Sequence, residues 1–205
     1  MTTIIIARHG NTFDTDDKVV RVGARTDLPL SSSGKLQAQK LGTYFKATDL
    51  NLSAVFTSCL SRTIETATIA LEVAGIKLPV LQNSIFNEVD YGPDEGKTEQ
   101  EVIARIGQDA LDAWEHKALV PQDWLIDPDR VIRNWFNFAA DLKNRFADQT
   151  VLVVTSNGIA RFAPYLTGNF LGFTQEYNIK LSTAAIASLT SVGDIWQVDY
   201  WNKKS

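Results

Sequence analysis

The 205-residue chain predicts a three-layer α/β fold built on a mostly parallel sheet. Three observations carry that expectation. Short apolar runs rich in β-branched residues, above all Ile4-Ile5-Ile6-Ala7 and Val151-Leu152-Val153-Val154, read as strands buried on both faces. Segments with helical apolar spacing separate the strands, as parallel crossovers require. Two alternating runs around Gly193-Asp194 then predict a closing hairpin. With 44% hydrophobic and 21% charged residues, the chain can bury a sizeable core, and we expect one domain over 1–205 with a small lid at about 88–127.

The first strand runs into Arg8-His9-Gly10-Asn11-Thr12, which places a cation, an imidazole and a glycine at the sheet edge where α/β proteins keep their chemistry. Residues 13 to 30 hold charges, Gly23 and Pro29 without periodicity, so they form a long loop beside that edge. Ser31 to Ser33 cap a helix with Leu36, Leu41, Tyr44 and Phe45 on its apolar side. Ala54 to Thr57 is a second strand, followed by a polar turn through Arg62 and a helix that stops at Gly75. A weak third strand covers Pro79 to Leu81, and Asn87 to Gly96 is an acidic loop.

Thr98 and Glu101 have capping-box spacing and open a helix with Val102, Ile106, Leu111 and Trp114 on its apolar side. Residues 115 to 127 read as an irregular connection over the site. Asp127-Pro128 starts the next helix, with Val131, Trp135, Phe138 and Leu142 as its core stripe. The strand Thr150 to Thr155 ends in Ser156-Asn157-Gly158, ahead of an apolar helix from Ile159 to about Leu171 whose N-terminus suits an anion. Trp114, Trp124 and Trp135 are expected to pack in the core or lid rather than line a pocket mouth.

A net charge of -4 argues against a general nucleic-acid or anionic-membrane surface, while leaving room for a local phosphate pocket. Neither nucleic acid nor membrane is expected as a partner. The single cysteine, Cys59, allows no intramolecular disulfide and reads as a small buried residue. No apolar run is long enough to cross a bilayer, and a strand stands where a leader would need a basic start, so a cytoplasmic location is expected.

Three strand ends contribute Arg8-His9-Gly10, Arg62 and Ser156-Asn157-Gly158, and the acidic loop contributes Glu88. If they converge, the guanidiniums grip a phosphoryl group, His9 offers a nitrogen that is half neutral near pH 7, and Glu88 protonates a departing oxygen. Each residue also has a plainer reading: a strand end that happens to be polar, a surface arginine, a solvated acidic loop, a helix-capping serine. For Arg62 the plainer reading sits badly, because a cation at a helix start opposes the helix dipole unless an anion is bound.

In these stretches the sequence resembles the histidine phosphatase superfamily, the phosphoglycerate-mutase-like enzymes. The resemblance rests on Arg8-His9-Gly10-Asn11-Thr12, on Asp27-Leu28-Pro29-Leu30 with Gly34, on Thr57 to Thr63 with Thr66-Ala67, and on Asn87-Glu88 with Gly92 and Glu95-Gly96, in the family's order. It implies a mixed six-stranded sheet flanked by helices, a small phosphorylated metabolite as substrate, and no metal or cofactor. It also implies His9 as the phosphorylated nucleophile, Glu88 as the acid-base residue and Arg8 and Arg62 as phosphoryl ligands, with Glu95 structural. Ser156 occupies the position where members of the family carry a second histidine, with Asn157 after it, and both are candidate phosphate contacts.

Ser156 keeps a donor but carries no positive charge, and by analogy with removing one transition-state donor this costs about 3 kcal/mol, on the order of a hundredfold in rate. The only other histidine, His116, is expected to be solvated or packed away from the motifs. The resulting expectation is a phosphomonoester hydrolase working through phospho-His9 and attenuated by Ser156. The alternative is a catalytically silent phosphate-ligand binding or interaction protein. A mutase is less favoured, because the 88–100 stretch is acidic where the mutases carry a longer basic insertion.

Overall fold

Alternate residues of the first strand point to opposite faces, and that alternation sets the layers. The structure, a computed structural model, describes residues 1–204. The strands are β1 (Thr3–Arg8), β2 (Leu52–Thr57), β3 (Val80–Gln82), β4 (Thr150–Thr155), β5 (Ile186–Val192) and β6 (Ile195–Lys203), in the spatial order β3-β2-β4-β1-β5-β6. β3, β2, β4 and β1 are parallel, β5 runs antiparallel to β1, and β6 to β5, giving the mixed, largely parallel six-stranded sheet. Ile5, Ala7, Leu152 and Val154 face the helices α1 (Ser32–Ala47) and α2 (Ser61–Ala74), meeting Leu41, Phe45, Ala67 and Leu71. Ile4, Ile6, Val151 and Val153 face the opposite layer, dominated by α5 (Pro128–Arg145) through Trp135, Phe138 and Leu142.

The helix termini follow the sequence signals. The Ser31 hydroxyl accepts from Gly34 N–H, Asp127 from Arg130 N–H, and Gly75 closes α2 at φ 74°. Trp135 joins the core to the far end of β4, donating from Nε1 to Ile159 O at 3.1 Å and packing edge-on against Phe138. Trp135→Ala leaves a cavity where the indole packed, so a stability loss of about 3–5 kcal/mol is expected. A urea midpoint lowered at unchanged slope is the check.

The structure departs from the sequence reading at four places. The helix expected from Thr98 through Trp114 is two, α3 (Glu99–Ile106) and α4 (Gln108–Lys117), divided at Gly107, whose φ of 83° and ψ of 156° are closed to other residues. The helix expected from Ile159 to Leu171 is broken into α6 (Asn157–Ala160), a 3-10 turn at Ala163–Thr167 and α7 (Phe170–Glu176). Pro164 is the cause, since it has no N–H for the carbonyl of Ala160. Leu36 is 59% exposed, because the buried face of α1 runs through Gly34, Ala38, Leu41 and Phe45 and Leu36 stands across the helix from it. Cys59 is exposed rather than buried: its N–H is held by Asn87 Oδ1 in the turn before α2, where Ser58 and Leu60 point inward instead. Among the described residues no helix is long and apolar enough to cross a membrane.

Candidate active site

His9 follows β1 directly and is fixed by its own backbone, its N–H donating to Thr155 O at 3.0 Å. Its Nδ1 lies 2.7 Å from Gly10 O. A carbonyl only accepts, so Nδ1 carries the proton and Nε2 keeps its lone pair. Burial, with the charges of Arg8 and Arg62 behind it, holds the His9 pKa well below the ordinary imidazole value, against the smaller opposing effect of the Gly10 bond. The imidazole is therefore neutral at physiological pH.

Arg62 lies in the first turn of α2 and is almost fully buried, donating from Nη1 to Thr26 O (2.9 Å) and from Nη2 to Gly23 O (3.2 Å). Arg8 donates from Nη1 to Leu181 O at 2.7 Å. The Nε of each guanidinium is buried and has no partner among the described residues. Two buried donors without acceptors beside a neutral imidazole suit an anion. The loop that holds Arg62 is itself pinned by Glu95, whose Oε1 accepts from Arg25 N–H (2.7 Å) and Thr26 Oγ1 (2.8 Å).

Glu88 is buried and held at both oxygens by backbone amides, Oε1 by Val89 N–H (2.9 Å) and Oε2 by Gly158 N–H (3.3 Å). The helix after β4 is thus only four residues long, and its Gly158 amide, expected to face an anion, is occupied by Glu88. Asn157 lines the cleft, with Oδ1 accepting from Leu181 N–H. Ser156 is fully buried at the N-cap position of α6, makes no capping bond, and has no partner for Oγ among the described residues. Ser156 is not among the residues that line the cleft, and neither is His116, which is exposed at the end of α4.

Arg8, His9, Glu88 and Asn157 line one cleft of about 400 Å³, and Arg62, which is not among its lining residues, is near enough for its charge to act on His9. The same cleft is lined by Arg21, Tyr91, Glu115, Arg161 and Lys180, none of which stands out by sequence motif. Arg161 is buried with its guanidinium 3.9 Å from the Trp114 ring centre, donating to Trp114 O (2.6 Å) and Asn157 O (3.3 Å). Glu115 lies 3.8 Å from Arg161 and 3.2 Å from Lys180. Burial and the neighbouring Glu88 push the Tyr91 hydroxyl above the usual tyrosine range, so it is a hydrogen-bond donor there. One signal for Arg161 was available: it is the sole charge between Ser156 and Gln175, and such a residue needs a buried partner.

A neutral ring nitrogen, two guanidiniums with unused donors and a fixed carboxylate can receive a phosphoryl group and move a proton at its leaving oxygen. A family model described as the histidine phosphatase superfamily (branch 1) matches residues 4–204. The phosphoglycerate mutase of Candida albicans is 29% identical over 176 residues, covering 84% of this chain and 68% of that protein. The chain spans 66% of the Saccharomyces cerevisiae phosphoglycerate mutase 1 and 51% of a bisphosphoglycerate-dependent mutase of Tropheryma whipplei. Among solved structures, Bacillus stearothermophilus YhfR superposes with a TM-score of 0.81 at 24% identity, over 100% of this chain and 98% of that one. A mycobacterial glucosyl-3-phosphoglycerate phosphatase in complex with VO3 superposes with a TM-score of 0.82 at 21% identity, over 98% and 99%. Both share its fold.

Proposed function

Because this chain belongs to the histidine phosphatase superfamily, branch 1, we propose that it hydrolyses a small phosphomonoester through a phosphohistidine on His9. The observation that carries this reading is the Nδ1–H of His9 bound to Gly10 O, which leaves Nε2 as the nucleophile. Nε2 attacks phosphorus, the ester P–O bond breaks, and Glu88 delivers a proton to the leaving oxygen. Water then attacks the phosphorus of the phosphohistidine, Glu88 takes a proton from it, and the N–P bond breaks to release inorganic phosphate. Arg8, Arg62 and Asn157 hold the phosphoryl oxygens during both transfers.

Hydrolysis is favoured over mutase transfer by two facts. The 88–100 stretch holds Glu88, Asp90, Asp94, Glu95 and Glu99 against Lys97 alone, where the resemblance to the mutases would call for a longer basic insertion. The fold relative with vanadate, matched over nearly its whole length, is by name a phosphatase. We propose further that Ser156, at the position where the resemblance calls for a second histidine, attenuates this turnover.

Residues 88–127 serve as the cover, supplying Glu88, Tyr91, Glu99 and Glu115 to the cleft. Arg105 fastens it: Nε donates to buried Asp94 at 2.6 Å, Nη1 to Asp123 at 3.1 Å, and Trp124 Nε1 adds a bond to Asp94 at 2.7 Å. Arg105→Ala leaves Asp94 buried without its cation and is expected to cost about 2 kcal/mol after allowance for the partial exposure of the arginine. The thermal midpoint falls and KM rises, both measurable on one preparation.

The test of function is turnover of an aryl and an alkyl phosphate by wild type, Glu88→Gln and Ser156→His. A phenolate leaves unaided and an alkoxide does not, so Glu88→Gln is expected to lower kcat on the alkyl ester on the order of a hundredfold and much less on the aryl ester. Ser156→His is expected to raise both rates. The orphan Ser156 hydroxyl also motivates a second reading, and phosphate or vanadate binding with no turnover in wild type or Ser156→His would establish that silent binder instead.

A further inference from the structure

Four cations, Arg8, Arg21, Arg161 and Lys180, line the cleft against three carboxylates, Glu88, Glu99 and Glu115. Beyond the phosphoryl ligands, Arg161 and Lys180 both turn to the single carboxylate of Glu115. Arg21 is the third further cation of the cleft, and among the described residues its side chain makes neither an ion pair nor a hydrogen bond. Its Nε is buried without an acceptor. Glu99, the remaining carboxylate on this wall, makes no ion pair among the described residues.

Arg21 is also held in place. Its N–H donates to Lys97 O and its carbonyl accepts from Gly96 N–H, each at 2.8 Å, so the backbone is clamped to the acidic loop. Its guanidinium lies 5.0 Å from the ring centres of both Tyr91 and Trp124, which fix its plane and shield it from water. Val20 and Val22, on either side of it in sequence, line the same cleft and add apolar surface to it. An arginine oriented by aromatic rings, with a desolvated donor and no ion-pair partner, is a prepared anion receptor.

We propose that the substrate carries a second anionic group, remote from its ester phosphate, and that Arg21 holds it. The proposal rests on the phosphoester reading of the cleft and adds to it a specificity-determining residue. An alkyl spacer lies along Val20 and Val22, the phosphate sits at His9, and the far carboxylate or phosphate takes the free donors of Arg21. Phosphomonoesters ending in a neutral group leave Arg21 unpaired and are poorer ligands.

Binding of non-hydrolysable phosphonates tests this independently of turnover. Three probes share one chain, butylphosphonate, 4-phosphonobutanoate and butane-1,4-bisphosphonate, and titration calorimetry is run on wild type, Arg21→Gln and Arg21→Lys. Wild type is expected to bind a charged-ended probe about tenfold more tightly than the neutral one, as a charge-assisted hydrogen bond in a half-open cleft gives. The better of the two charged probes identifies carboxylate or phosphate as the natural group. Arg21→Gln should bring that ratio close to one, and Arg21→Lys should keep part of it. Equal affinities in wild type, or a ratio that survives Arg21→Gln, would overturn the assignment. The matching phosphate esters are then assayed for release of phosphate: discrimination among phosphonates without ester turnover refutes the hydrolase and leaves Arg21 as assigned, whereas turnover without discrimination does the reverse.

Discussion

His9→Ala is expected to lower phosphomonoester turnover at least a thousandfold, the scale on which removal of a covalent nucleophile acts. The same position should also show itself in stability. Burial and the charges of Arg8 and Arg62 hold the folded-state pKa of His9 well below its ordinary value of about 6.5. Below pH 6.5 the unfolded chain therefore binds a proton that the folded chain refuses, and wild type loses stability as the pH falls from 6.5 toward the depressed pKa. His9→Asn has no such group. Its melting temperature relative to wild type should rise as the pH is lowered from 8 to 5, and a difference independent of pH would mean that His9 titrates normally in the fold.

Gly158→Ala should separate activity from folding. A Cβ at this position would stand 2.2 Å from Glu88 Oε1 and 3.1 Å from the Tyr91 hydroxyl. The nearest atom is the end of a side chain, so the fold can yield by moving the carboxylate. Glu88 is buried and held by two amides, one of them that of Gly158, so moving it takes the proton donor out of position. We expect kcat to fall on the order of a hundredfold, the size of a general-acid contribution, with the larger loss on alkyl esters. The far-ultraviolet spectrum should be unchanged and the melting temperature lower by a few degrees. Unaltered kcat on an alkyl phosphate would remove Glu88 from the proton-transfer role.

The fold was legible where local chemistry and tertiary demand agree. The Thr98-Glu101 capping box, Asp127-Pro128 and Gly75 mark helix ends the structure contains, because each satisfies nearby backbone groups before any long-range packing, and the Ile4-Ile5-Ile6 run was legible because a strand paired on both edges is what buries both of its faces. The breaks at Gly107 and Pro164 were legible as residue types but were outweighed by the apolar periodicity running through them. In the site, Arg8, His9 and Glu88 lie in compact motifs and could be singled out along the chain. Arg21, Glu115, Arg161 and Lys180 come from four separate segments, the 13–30 loop, the end of α4, the turn after α6 and the loop before β5, and their common cleft exists only once all four are in place. Ser156 shows the opposite limit: its position at the end of β4 follows from the sequence, while the burial of its hydroxyl without an acceptor is a product of packing.

The covalent intermediate can be trapped. Wild type is mixed with a 32P-labelled phosphomonoester, quenched in alkali during turnover, digested, and the labelled peptide sequenced by mass spectrometry. Label on Nε2 of His9, stable to base, lost in acid and absent from His9→Ala, is the predicted result. Turnover of the ester with no labelled protein, or with the label on Nδ1 or on a residue other than His9, would contradict phosphoryl transfer through this imidazole.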